Sequence, residues 1–216
     1  MPGRKFEAII FDFGGVITQS PFEGIERLER ERGLPPGLVR RVNATNPDSN
    51  AWARLERSEI TLEEFDGLFA EEAAALGGAV RGSEVMAVLS GAVRPEMVAA
   101  LDRLGGLGYR LGCITNNMRT PGYPDEGMRA DPRLGHVFRR FDHVVESALT
   151  GLRKPDPRIY ALACDMLAVE AGACVYLDDL GINCKPAAAM GMHAIKVTGG
   201  DQALAALEAT LGHALS

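Results

Sequence analysis

FEAIIFDFGGV, residues 6–16, is the stretch on which the reading of this chain turns. FEAIIF is a continuous apolar run rich in Ile and Phe, which predicts a buried strand. It stops at Asp12, and Gly14 and Gly15 follow, so a carboxylate stands at a strand end before a tight loop. Such a loop exposes backbone N–H groups that can form a nest for an anion. Glycine also lets a ligand approach the main chain closely. Taken alone, DFGG reads more simply as a turn carboxylate capping a loop. It is not a kinase signature, because no HRD-type loop and no Gly-rich strand pair accompany it.

Working outward, the pattern recurs. RLGCI (110–114) ends in Thr115, Asn116 and Asn117. ACVYL (173–177) ends in Asp178 and Asp179, HAIKV (193–197) ends in Thr198, Gly199 and Gly200, and HVV (143–145) is a shorter candidate. Helical patterns lie between these runs, at 94–108, 155–169, 183–191 and 201–212. Val98, Leu101 and Leu104 share one helical face, as do Ile159, Ala163 and Met166, and Pro155 is expected at a helix start. Strands alternating with helices predict an α/β fold with a Rossmann-like parallel sheet covered on both faces. Sites in such folds form at the carboxyl ends of strands, which is where the polar clusters fall.

Residues 19–92 break the alternation. They carry apolar residues three or four apart and no strand signal, and Thr61 with Glu64 forms a capping-box pattern. The segment reads as an all-helical cap inserted after the first strand. The expected division is a core domain of residues 1–18 and 93–216 and a cap of residues 19–92.

The whole chain sets further bounds. Its 216 residues carry a formal net charge of -6, which argues against a nucleic-acid surface. No apolar run reaches the ~20 residues of a membrane span, and Glu7 and Asp12 break the only stretch resembling a signal peptide. Cys113, Cys164, Cys174 and Cys184 show no CxxC spacing and read as free core thiols, so the expected location is the cytoplasm. Between monomer and homodimer the sequence does not choose.

The strand-end residues carry chemistry. Asp178 and Asp179 are adjacent carboxylates that repel each other and call for a cation or solvent. With Asp12 they would make an oxygen-only site suited to Mg²⁺. Thr115 and Asn116 offer hydroxyl and N–H groups to phosphate oxygens, and Lys154 in GLRKPD precedes a helix. Each of these alone has a bland reading as a cap, an acidic turn or a surface lysine.

Their joint order resembles the haloacid dehalogenase superfamily. The motifs are IIFDFGGV (9–16), ITNN (114–117), GLRKPD (151–156) and YLDDLGINCKPAAAMGM (176–192), and the likeness covers nearly the whole chain. The last motif is similar to the amino-terminal phosphatase domain of soluble epoxide hydrolases and to bacterial sugar-phosphate phosphatases. WARLERSEITLEEF (52–65) looks like the cap of that subgroup. The resemblance implies a Mg²⁺-dependent phosphatase of small phosphorylated metabolites, working through an aspartyl phosphate on Asp12. It implies Mg²⁺ ligands at Asp12, the Gly14 carbonyl and Asp179, with Asp178 and Asn183 behind them. Phosphate would be held by Thr115, Asn116, Lys154, Phe13 and Gly14. It also implies that the Asp12 strand lies between the Asp178 and Thr115 strands.

One position departs from the family pattern. Most phosphatases of this superfamily carry an acid/base Asp two residues after the nucleophile, and here Gly14 stands there. A general acid is worth ~10²–10⁴-fold. The misfit leaves three readings: substrates with good leaving groups such as anomeric or acyl phosphates, another group acting as acid, or a weak catalyst that binds phosphorylated ligands. A 2-haloacid dehalogenase is the rival hydrolase, but the acidic pair favours phosphate. Substrate choice is expected from the cap and from loop 118–138. There Arg119, Tyr123 and Arg129 read more simply as surface residues, and Trp52 and Phe65 as cap core.

Overall fold

The structure is a computed structural model that describes residues 5–89, 91–118 and 124–215, with Glu23 described in its backbone alone. Arg119 and Tyr123 lie outside the described residues.

Five strands form one parallel sheet: β1 (Ala8–Phe11), β2 (Arg110–Thr115), β3 (His143–Glu146), β4 (Cys174–Asp178) and β5 (His193–Lys196). Their order is β3-β2-β1-β4-β5. β1 is central and buried at all four positions, as its unbroken apolar run requires. Alternate residues of a strand face opposite sides. Ile9 and Phe11 accordingly enter one core layer with Leu111, Val175 and Leu177, and Ala8 and Ile10 enter the other with Ile114 and Tyr176.

Five helices lie between β1 and β2 ahead of the sheet's own: α1 (Pro21–Glu31), α2 (Leu38–Ala44), α3 (Ala51–Glu56), α4 (Leu62–Ala75) and α5 (Gly82–Ala87). Leu38, Val42, Leu55, Phe65, Phe69 and Val85 gather there in a third apolar cluster, apart from the sheet layers. A fully buried Leu, Val or Phe side chain contributes ~1.5–3 kcal/mol, so this cluster ties the five helices to one another. Trp52 packs edge-on against Phe65 at 5.6 Å. Thr61 caps α4, and Glu64 completes the capping box. The chain leaves and re-enters the sheet region side by side: Gln19 N–H donates to Ala92 O at 2.8 Å and Arg94 N–H to Ile17 O at 2.9 Å.

The remaining helices are α6 (Pro95–Gly106), α7 (Gly135–Phe138), α8 (Ser147–Thr150), α9 (Pro157–Leu167), α10 (Gly181–Ala189) and α11 (Gly200–Leu211). α6 and α11 cover the Ile9 face, and α9 and α10 the Ile10 face.

Three expectations need correction. Pro155 does not open α9: Asp156 caps it, accepting from Arg158 N–H at 2.9 Å, and Pro157 takes the first helical position. A carboxylate is the better cap and proline the better first residue, so the helix starts two residues later. Met166 is 39% exposed; the inner face of α9 runs through Ile159, Tyr160, Ala163, Cys164 and Leu167. Segment 118–138 is not all surface loop, since Val137 and Phe138 of α7 are buried against the sheet.

Candidate active site

Strand register brings the site together. Phe11 pairs with Leu177 on one side and Cys113 on the other, so the strand ends beyond them meet at one edge. Asp12 follows Phe11, Asp178 follows Leu177, and Thr115 ends β2. The Asp12 N–H still donates to Leu177 O at 2.8 Å, extending β1 by one residue. Carboxylate oxygens of Asp12, Asp178 and Asp179 all lie within 4.8 Å of one another.

Lys154 stands among them, 2% exposed. Its Nζ is 2.7 Å from Asp12 Oδ1 and 2.8 Å from Asp178 Oδ2. An ammonium has three N–H donors, so one remains. Asp12 Oδ1 also accepts the Phe13 N–H at 2.6 Å, whereas Oδ2 accepts nothing from the described residues. The Asp12 carboxyl is thus held by one oxygen and offered by the other.

Asp178 and Asp179 are neighbours with different surroundings. Asp178 is fully buried and fully bonded: besides Lys154 it accepts from the Tyr176 hydroxyl, from the Leu180 N–H at 2.8 Å and from Asn183 Nδ2 at 3.1 Å. Tyr160 fixes Asn183 in turn by donating to its carbonyl at 2.9 Å. Asp179 is half-buried and presses on the glycine loop. A Cβ at Gly15, whose φ is +78°, would meet Asp179 Oδ2 at 2.2 Å, so only glycine allows the approach. At Gly14 an added Cβ would meet nothing within 4 Å.

Burial is the main cause that raises the Asp12 carboxyl, to about 8; Lys154 opposes the rise, and Asp178 and Asp179 add to it. Burial and then Asp178 raise Asp179 to about 6. Burial acts to lower Lys154, but Asp12 and Asp178 outweigh it and hold the ammonium above the usual lysine range. The lysine therefore stays charged. Three carboxylates face one ammonium, so repulsion among the acids adds to the effect of burial in raising them. An all-oxygen donor set short of cations fits a hard divalent ion such as Mg²⁺.

The other expected residues are placed as follows. Thr115 is buried, and its hydroxyl makes no hydrogen bond with the described residues. The Asn116 side chain clamps Lys154: its Oδ1 accepts the Lys154 N–H at 2.8 Å and its Nδ2 donates to the Lys154 carbonyl at 3.0 Å. Only the Asn116 main chain is left for a phosphate. Phe13 spends its N–H on Asp12 and stacks on Phe138 at 4.2 Å. Arg129 is exposed and donates to the Phe141 and Asp142 carbonyls, away from the strand ends.

Sequence reasoning missed Tyr176, which reads as one more apolar residue of a core strand. It also missed Arg153 and Glu56. Arg153 Nε is 2.6 Å from Glu56 Oε2, joining the loop of Lys154 to α3. Nothing in the periodicity of 52–65 distinguishes Glu56 from the other charges there.

Comparison with known proteins bears on the family and the fold. A family model described as haloacid dehalogenase-like hydrolase matches residues 6–191. Acyl-CoA dehydrogenase family member 10 of Mus musculus is 34% identical over 99% of this chain and 20% of its own length. Bifunctional epoxide hydrolase 2 of Sus scrofa is 29% identical over 95% of this chain and 39% of its own. The chain thus spans about a fifth and two fifths of these two relatives. Sesquiterpene phosphatase astK of Aspergillus oryzae is 28% identical over 89% of this chain and 90% of its own length. Among solved structures, the HAD family enzyme bt-2542 of Bacteroides thetaiotaomicron, in complex with magnesium and inorganic phosphate, superposes with a TM-score of 0.60. It covers 90% of this chain and 96% of that one at 17% identity, a likeness of fold alone.

Proposed function

The chain belongs to the haloacid dehalogenase-like hydrolases, and from that premise we propose that it is a Mg²⁺-dependent phosphatase of small phosphorylated metabolites with Asp12 as nucleophile. One observation carries the reading. Asp12 Oδ1 is tied to Lys154 and to the Phe13 N–H, while Oδ2 accepts nothing from the described residues, and the carboxyl group stands beside two further carboxylates. The similarity to a phosphatase over most of both chains supports it.

In this reading Asp12 Oδ2 attacks phosphorus, the bond to the leaving oxygen breaks, and an aspartyl phosphate forms. Water then attacks that phosphorus, restoring the carboxylate and releasing inorganic phosphate. Lys154 offers its third N–H to a phosphoryl oxygen. The Thr115 hydroxyl and the main-chain N–H groups of Gly14 and Asn116 offer uncharged donors. Three carboxylates and a phosphate dianion total about minus five, against about plus three from Lys154 and Mg²⁺, so these donors are needed. Asp12, Asp179 and the Gly14 carbonyl would hold the ion, which when bound supplies positive charge against the phosphate. Asp178 acts behind them by fixing Lys154, and Asn183 by fixing Asp178. Residues 19–92 serve as a cap over the strand ends, on a core of 1–18 and 93–216.

Gly14 narrows the substrate class. With open space where a family acid would stand, the leaving oxygen departs best when it is a good leaving group, as in anomeric or acyl phosphates.

Release of p-nitrophenol from p-nitrophenyl phosphate, with Mg²⁺ and with EDTA, tests the reading. Turnover that needs Mg²⁺ and disappears in Asp12→Asn is expected. Halide release from chloroacetate in EDTA, with no phosphatase turnover, would replace it with a dehalogenase.

A further inference from the structure

A side chain of the cap reaches the residues around Lys154. Glu56, the last residue of α3, is 5% exposed, and its carboxylate bridges the insert and the Lys154 loop. Oε2 accepts from Arg153 Nε at 2.6 Å and lies 3.4 Å from Asn116 Nδ2. Oε1 accepts from Trp52 Nε1 at 2.9 Å, which anchors the carboxylate within the insert. Asn116 is the residue that clamps the Lys154 backbone from both sides, and Arg153 is bonded covalently to Lys154. Arg153 also donates to Pro47 O at 2.9 Å, so the insert grips it twice.

A largely buried ion pair, here with the Arg153 and Glu56 side chains 17% and 7% exposed, is a poor device for stability alone. Desolvation offsets most of its attraction, and apolar residues of similar volume generally do as well. Apolar residues could not set the direction of an amide and a guanidinium at once, whereas a carboxylate between them does. We infer that Glu56 is a positioning residue: from the cap, it sets Asn116 and Arg153 and through them the placement of Lys154. The inference rests on the phosphatase reading. Lys154 there meets charge that grows in the transition state, so its misplacement lowers kcat more than it raises KM.

The test uses the full chain with Mg²⁺ and p-nitrophenyl phosphate. Wild type, Glu56→Gln, the double variant Glu56→Gln with Arg153→Gln, and Glu59→Gln are compared in kcat, KM and Tm. Glu59 pairs with Arg57 on the surface and serves as control. The expected result for Glu56→Gln is a kcat lower by about tenfold with KM within about threefold, a loss of transition-state interaction rather than of binding. The double variant removes both charges of the pair. Its Tm is expected to recover while its kcat stays low, and a purely structural pair would restore both. A kcat that never falls, or that returns with Tm in the double variant, overturns the inference. A wild type without Mg²⁺-dependent turnover overturns the phosphatase reading and this inference with it.

Discussion

Lys154 and Asp178 form an ion pair closed off from solvent, with Nζ 2.8 Å from Oδ2 and exposures of 2% and 0%. The pair serves the site because Asp178 is itself fixed by Tyr176, Asn183 and the Leu180 N–H, while Lys154 reaches on to Asp12. Removing one partner of a buried pair leaves an uncompensated charge and costs about 3–5 kcal/mol. Lys154→Met is therefore expected to be strongly destabilised at pH 8. The deficit should narrow at pH 5, where protons can stand in for the missing cation. Urea unfolding at the two pH values measures it, and wild-type stability at pH 8 would contradict the prediction.

The raised carboxyl groups fix the sign of the pH response without metal. Asp179 rises to about 6 and Asp12 to about 8, from an ordinary 3.8. The folded state then binds more protons than the unfolded one between those limits, so stability falls as pH rises from about 4 to about 8. A divalent ion that holds the ionised carboxylates reverses the loss. Adding Mg²⁺ to EDTA-treated protein is expected to raise Tm more at pH 8 than at pH 5, as seen by differential scanning fluorimetry. An equal effect at both values would speak against Mg²⁺ binding at these carboxylates.

Much of this site is legible in the sequence, for a physical reason. Buried parallel strands are unbroken apolar runs, so their ends are visible as abrupt changes to polar residues, and the fold gathers those ends at one edge. Asp12, Thr115, Asp178 and Asp179 all stand out in that way. Lys154 is legible as well, though it is held by the amide of Asn116 and not by a helix start at Pro155. Glu56 is not legible. It stands among many helix charges, and its burial follows from the packing of α3 on a loop 97 residues away. Tyr176 is hidden differently: its ring belongs to the core while its hydroxyl belongs to the site.

Gly15 and Gly14 are adjacent in sequence and opposite in tolerance. At Gly15 the left-handed backbone and the 2.2 Å approach to Asp179 Oδ2 leave no room for a methyl group. Gly15→Ala is expected to shift Asp179 and lower kcat by about 10²-fold, the scale of a 1 Å misplacement. The far-UV circular dichroism should stay unchanged, because the loop lies outside the strands and helices. Activity within about threefold of wild type would show that Asp179 is not held by this contact.

Gly14 invites the opposite experiment. It has no positive φ, and a Cβ there meets nothing within 4 Å, so Gly14→Asp should be accommodated without strain. The new carboxyl would stand two residues after Asp12, where it could protonate a leaving oxygen and then activate water. A general acid contributes ~10²–10⁴-fold when the leaving group needs a proton and little when it does not. The variant is therefore expected to accelerate hydrolysis of alkyl phosphates such as glycerol phosphate far more than that of acetyl phosphate. The ratio of the two kcat/KM values, measured with Mg²⁺, is the readout. It also separates the explanations of the missing acid. If another group already supplies the proton, the ratio stays near the wild-type value in a variant that still folds and binds metal. If the natural substrate departs unaided, the ratio shifts toward the alkyl ester by at least about tenfold, below even the lower end of the general-acid range.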